Sequence, residues 1–242
     1  MPSPAVRRQR WPEGRQMSVV LAFDCAVTGL DVAVLRDGLP VARRREEGRD
    51  QAARLMPAIG SAIEEAAIDR REISLVAVTI GPGSFTGIRV GLAAARGLAL
   101  GLGVPVAGIP TTTVLLAQVD RTARLVVAAI DSRLGDWFCA LDGNGAAPFV
   151  ASASVLASCL DGRACRIAGS GASSLATALA GLGIDVEGIE ATPDAAVLAR
   201  LAMADGIAAW RERNQREGLP RPLYLRGVSI TLPDGARRIV DG

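Results

Sequence analysis

Residues Gly81 to Ala99 read GPGSFTGIRVGLAAARGLA and follow Ile73 to Ile80 (ISLVAVTI), so the order is buried strand, glycine-rich turn, helix. Gly81 and Gly83 free the turn backbone and Pro82 stiffens it, while Ser84 or Thr86 can cap the helix by accepting a bond from an orphan N–H. Beyond the turn, Gly87, Gly91 and Ala95 recur four apart and set a seam of small residues along one helix face. Three uses of such a segment stay open. The helix N-terminus can cradle an anion, with Arg89 within reach of an incoming charge; the seam can dock against a partner; or it can pack on this chain's own sheet.

Composition narrows the chemistry. Of 242 residues, 50% are hydrophobic but only 3% aromatic, so a sizeable core must be built from Ala, Val, Leu and Ile. The net charge of +2 gives little reason to expect autonomous nucleic-acid binding. Histidine and lysine are absent, and all 27 basic residues are arginines. There is then no Ser-His-Asp or Cys-His pair, no imidazole base, no His-ligated metal, no Walker A lysine and no Schiff base. Carboxylate chemistry stays available through Asp24, Asp131 and Asp136. The four cysteines show no C-x-x-C spacing and read as free, packed thiols of a cytoplasmic protein. Val90 to Ile109 is apolar but broken by Arg96, Pro105 and glycines, and reads as helix plus strand rather than a membrane span. Met17 opens MSVVLAFD; residues 1–16 read as an upstream extension or disordered tail, or as a basic arm toward RNA.

Working outward from the turn, Ser18 to Asp24 is a strand covered on both faces. Asp31 to Leu35 and Leu39 to Arg43 form a hairpin around Asp37-Gly38. Arg49 to Ile68 carries Leu55, Met56, Ile59, Ile63 and Ala66 at helical spacing, with Asp50 and Arg54 suited to an i,i+4 ion pair. The order β-β-β-α-β-α is that of one ribonuclease H-like half. A second half is expected over 105–221, with a strand Leu125 to Asp131, a strand from Trp137, a turn at Gly143-Asn144-Gly145, a strand at Arg166 to Ala168 and a helix Ala172 to Gly181. Pro193 to Ala209 reads as a further helix and 211–221 as an exposed Arg/Glu-rich tract or linker. The first half is expected over 17–104 and completed by about 222–242, with Tyr224 to Ile230 beside it.

The sequence resembles the TsaB (YeaZ) family. GPGSFTG followed by Ile-Arg and a Gly/Ala-rich helix is that family's signature. Val20 to Gly38 resembles its opening hairpin, Ala128 to Arg133 (AAIDSR) its AAIDAR strand end, and Pro222 to Arg226 (PLYLR) its P-x-YLR. The resemblance implies an α/β protein of two ribonuclease H-like halves, of the actin/Hsp70/sugar-kinase type. It implies a non-catalytic subunit that binds and activates TsaD. TsaD transfers threonylcarbamoyl to the adenosine beside the anticodon of ANN-decoding tRNAs, and TsaE joins a larger complex. ATP and metal would belong to the partner subunits, tRNA would be met through the complex, no membrane is involved, and the chain alone could homodimerise. Two helices of the first half would pack on their TsaD counterparts, with Phe85, Gly87, Arg89, Gly91, Ala95, Leu55 and Ile59 as docking residues. Where TsaD relatives carry an H-x-x-x-H metal pair this chain has Asp50 to Arg54 (DQAAR), which cannot reproduce it.

Asp24 and Asp131 end corresponding strands, where this type of fold handles a metal-bound phosphate. Cys25 and Ala26 weaken the first phosphate loop, so Asp24 reads as a vestigial nucleotide contact or a turn cap. An autonomous ATPase or kinase using both carboxylates with magnesium is the alternative. Arg133 and Gly169-Ser170-Gly171 could meet an anion or an adenine, or serve only their turns.

Overall fold

The first strand, β1 (Val19–Asp24), is buried at every position. Val19, Leu21 and Phe23 face one hydrophobic layer and Val20 and Ala22 the other. This two-sided burial follows from the unbroken apolar run. In this computed structural model the described residues are 18–226 except 49, 123 and 144–146, together with the backbone of 228–231 and 237–240. The expected tail 1–16 and most of the expected turn at 143–145 lie outside them.

β2 (Leu30–Arg36) and β3 (Leu39–Glu46) form the hairpin, with Asp37 and Gly38 both at positive φ (50° and 83°) as a two-residue primed turn requires. α1 (Gln51–Glu65), β4 (Ile73–Thr79), α2 (Phe85–Leu102) and β5 (Val106–Ile109) complete a five-stranded sheet ordered β3-β2-β1-β4-β5. α3 (Thr111–Ala117) leads to β6 (Leu125–Asp131), β7 (Trp137–Leu141), β8 (Phe149–Ala151), α4 (Ala153–Leu160), β9 (Cys165–Gly169), α5 (Ala172–Ala180) and β10 (Val186–Glu190). The second sheet runs β10-β9-β6-β7-β8, so it repeats the first sheet's topology strand for strand. α6 (Ala195–Asp205) and α7 (Ile207–Glu217) follow, and β11 (Val228–Thr231) pairs with β12 (Arg237–Val240).

Several boundaries differ from those expected. β5 pairs with β4, so the first half extends past residue 104 to Ile109. Residues 195–217 also belong with it: α6 packs on β1, β2 and β4, and α7 on β5. The second half is therefore an insertion in the first. The long helix expected over 193–209 is broken at Gly206 (φ 87°), and the Arg/Glu-rich tract is mostly helix α7 rather than linker. α7 buries only Trp210, whose indole N–H donates to the Ala202 carbonyl at 2.8 Å; its charges form the outer face. The side chain of Asn214 accepts from Val106 N (2.7 Å) and donates to Val106 O (3.0 Å), satisfying the open edge of β5. β11 and β12 pair with each other and with no other strand among the described residues.

Among the described residues, α2 alone has the length and mean hydropathy of a membrane-crossing helix. It lies on the first sheet with Gly87, Ile88, Gly91, Leu92, Ala95 and Ala99 buried.

Candidate functional site

The turn before α2 is knitted to the loop after β1. Ser84 N donates to Ala26 O at 2.6 Å, and the Ser84 hydroxyl caps the helix by accepting from Gly87 N at 3.2 Å. Gly83 (φ 155°) would place a Cβ 2.0 Å from Ala26 O, and Gly87 would place one 1.9 Å from Cys25 O. Both glycines are thus demanded by backbone-to-backbone approach inside this chain. Two turn amides that would face an anion are already satisfied. Gly81 O accepts from Thr111 N at 2.8 Å, which ties the turn to the start of α3, and Thr86 is exposed.

The seam expected to dock on a partner packs inward instead. Gly87, Gly91 and Ala95 are buried against the loop after β1 and against β4, with the Gly91 position 3.3 Å from Val78 Cγ2. Leu55 and Ile59 of α1 are 0% and 2% exposed in the same core. These five side chains do not present themselves to a partner, because small residues are what let α2 settle closely on the strands. A substitution such as Gly91→Arg would strike the fold rather than a surface. Phe85 and Arg89 remain at the surface but are engaged: the guanidinium lies 3.6 Å from the Phe85 ring centroid, and Nε donates to the Tyr224 hydroxyl at 2.9 Å. What α1 and α2 turn outward is another set. Ala93, Gly97, Leu100 and Gly101 lie along α2, Met56 and the half-buried Gly60 along α1, and Leu100 is 85% exposed. A Cβ added at Gly60, Gly97 or Gly101 would meet no neighbouring atom within 4 Å.

Asp24 is buried, and its Oδ1 accepts from Ala26 N (3.0 Å) and the Thr79 hydroxyl (2.5 Å). Burial raises its pKa to about 6, against the lowering effect of those two bonds. It lines a cleft of about 280 Å³ with Thr28, Arg45, Glu46 and Thr192. Asp131 is exposed, and its Oδ1 accepts from Arg133 N at 2.7 Å, closing its own turn. At Gly171 a Cβ would fall 2.6 Å from the Trp137 ring, so that glycine accommodates tryptophan. Of each strand-end carboxylate, Oδ1 is engaged by its own turn, in Asp24 also by Thr79, and the Trp137 ring lies close against Gly171 of the second loop. No group of three or more potential metal ligands occurs among the described residues.

The cysteines behave as packed thiols. Cys25, Cys139 and Cys165 are buried, and burial pushes Cys139 up to about 12 and Cys165 up to about 11. Arg54 does not pair with Asp50; it turns to Glu46 of β3 at 2.5 Å.

One polar centre was missed. Asp31, 3% exposed, accepts from Arg43 Nε (3.1 Å) and Nη2 (2.6 Å), Arg45 Nη2 (3.0 Å) and the amide of Ala195 (3.0 Å). Arg43 also pairs at 2.8 Å with Asp194, the N-cap of α6. The cluster seats α6 on the hairpin. The sequence carries only a partial signal: counting back from the Asp37-Gly38 turn sets Asp31 opposite Arg44, and the register shift between Val34 and Leu35, which the sequence does not announce, brings it opposite Arg45.

Two ribonuclease H-like halves, with a glycine turn feeding α2 and both strand-end carboxylates engaged internally, define an α/β protein of the actin-like ATPase and sugar-kinase architecture. Comparison with known proteins narrows this. The chain is 34% identical over 131 residues to the tRNA threonylcarbamoyladenosine biosynthesis protein TsaB of Escherichia coli, covering 52% of this chain and 57% of that one. It is 28% identical over 123 residues to TsaB of Bacillus subtilis, covering 50% and 54%. The matches thus span just over half the length of these curated relatives. A crystal structure of an uncharacterized Pseudomonas aeruginosa protein with similarity to peptidase YeaZ superposes with a TM-score of 0.67 at 25% identity, over 86% of this chain and all of that one. The family model of TsaD, tRNA N6-adenosine threonylcarbamoyltransferase, matches residues 45–150. Over these spans the chain is similar to the TsaB/YeaZ proteins.

Proposed function

We propose that this chain is a non-catalytic subunit that docks onto a TsaD-type threonylcarbamoyltransferase and activates it for modification of the adenosine beside the anticodon of ANN-decoding tRNAs. The observation that carries this reading is the outward face of α1 and α2. It is built of small residues around Leu100, which stands 85% exposed with no partner side chain over it among the described residues. A helix pair of that kind admits close approach by another helix pair. The names of the curated relatives support assignment to threonylcarbamoyladenosine biosynthesis. The internal engagement of Asp24 and Asp131 supports leaving catalysis, ATP and metal to TsaD and a TsaE-type ATPase, with tRNA met through the complex in the cytoplasm. Without its partner the same face would bring two copies of this chain together.

The test is co-purification with TsaD from the same organism, followed by sizing and a tRNA-modification assay. Gly97→Arg and Leu100→Arg should abolish the complex and the modification without lowering the Tm of this chain. A complex that survives both substitutions would overturn the assignment of this face. Magnesium-dependent ATP turnover by the isolated chain, lost in Asp24→Asn, would overturn the non-catalytic reading.

A further inference from the structure

The segment after α7 makes a series of specific contacts that no strand or helix requires. The Pro220 carbonyl accepts from Arg96 Nη2 at 2.6 Å, and Leu223 N donates to Ile80 O at 2.8 Å. The Tyr224 ring stacks on Phe85 with centroids 5.5 Å apart, and its hydroxyl accepts from Arg89. All of these partners belong to the first half. Two residues further on, Arg226 forms an ion pair with Asp136, which sits in the turn between β6 and β7 of the second half. Asp136 is held in place for this by the Ser132 hydroxyl, which donates to its other oxygen.

The chain crosses between the halves twice, at Pro110 from β5 into α3 and over residues 191–194 from β10 into α6. Gln118 at the end of α3 ties the two passages together, donating to Thr192 O (3.1 Å) and accepting from Asp194 N (2.8 Å). Val27 of the loop after β1 also packs on the second half's core, so the halves meet at the two passages and at this contact, and rotation about the line of the passages is the motion these leave easiest. A further attachment off the line restrains it. α6 covers the Val20 and Ala22 face of the first sheet, whereas Phe85 and Arg89 open α2 on the opposite, Val19 and Leu21 face. The Arg226–Asp136 pair therefore reaches the second half from the other side of the sheet.

We propose that residues 219–226 are an interdomain latch, which fixes the angle between the two halves when Tyr224 is seated on α2 and Arg226 is paired with Asp136. Release of the pair frees the rotation without unfolding either half. The inference concerns the chain alone and does not depend on the docking face or on any partner.

Double electron–electron resonance on the full chain reads the angle directly. One spin label goes on the exposed native Cys159 of α4 and one on Ser61→Cys of α1; the other three thiols are buried. The parent should give one narrow distance distribution. Arg226→Ala and Asp136→Ala should each broaden it or shift its mean by several Å, and the Arg226→Asp/Asp136→Arg exchange should narrow it again. Tyr224→Ala, which unseats the other end, should broaden it as well. Tyr224 is the only tyrosine of the chain, so 3-fluorotyrosine gives a single ¹⁹F resonance. That resonance should stay at its parent position in Arg226→Ala, since only the far end of the latch is freed. A distribution in Arg226→Ala or Tyr224→Ala that superimposes on the parent's would overturn the proposal. So would an exchange variant that stays broad.

Discussion

Replacing Gly87 by alanine tests how α2 is seated. The added methyl would lie 1.9 Å from the Cys25 carbonyl oxygen, where real contacts stay beyond 3.0 Å, so the first turn of the helix must move by more than 1 Å. The obstacle is backbone, and no side-chain rotation relieves it. Overpacking of this kind costs about 1–3 kcal/mol or more. Alanine's helix propensity returns at most about 1 kcal/mol. Loss of the tight Ser84 cap as the turn shifts adds roughly another 1 kcal/mol to the cost. A net destabilisation of about 1–3 kcal/mol lowers Tm by roughly 2–10 °C for a chain of this size. Gly97→Ala is the control. It lies on the same helix with nothing within 4 Å, so the propensity gain is uncompensated and Tm should rise by roughly 2–3 °C. Thermal unfolding followed by circular dichroism, with urea midpoints at 25 °C, measures both. If Gly87→Ala proves as stable as the parent while Gly97→Ala behaves as stated, the close approach of α2 to the β1 loop is not what fixes the glycine.

Asp24 gives the fold a pH dependence of definite sign. Its folded pKa of about 6 lies above the unfolded value of 3.8, so the stability it confers is fully present below that value and is lost as pH rises through about 6. Asp24→Asn keeps the acceptor oxygen without the buried charge. Its unfolding free energy from urea melts should be close to the parent's near pH 4 and exceed it increasingly to pH 6–7, by up to about 3 kcal/mol; a constant difference across that range would refute the assignment. Asp31→Ala removes the acceptor of two arginines and strands the Ala195 amide, which should cost about 2–3 kcal/mol. Hydrogen exchange at Ala195 should speed up before that of β4; equal effects on both would mean that α6 is not seated by this cluster. With a thiol reagent the native chain should titrate one cysteine rapidly, Cys159, and four only after denaturation.

The sequence carried the first half well, because its signals are local. An unbroken apolar run, a D-G turn and a 3.6-residue periodicity each fix an element without reference to the rest of the chain. β5 falls outside the half expected to end at 104 because a four-residue strand says nothing about which sheet receives it. α7 read as linker because a helix that buries one tryptophan shows almost no apolar periodicity. The seam on α2 is the more instructive case. Spacing of Gly87, Gly91 and Ala95 shows that they share a face, but not what lies opposite that face. The β1 loop lies there, and the outward surface belongs to Gly97 and Leu100, which carry no motif. The Asp31 cluster depends on the amide of Ala195, 164 residues away, and that half of it had no local signature.

The interruption of the first half by the second has a consequence for synthesis on the ribosome. One layer of the first sheet, containing Val20, Ala22, Leu35, Leu75 and Ala77, is roofed by α6 and Trp210 of α7. Those helices emerge only after all of the second half has been made. The strands of the first sheet, which leave the exit tunnel earliest, must therefore wait with an apolar face bare, while the inserted half, whose strands and helices are contiguous, can complete itself first. The layer under α6 is then the last part of the fold to close, although its first strands are the earliest to be made.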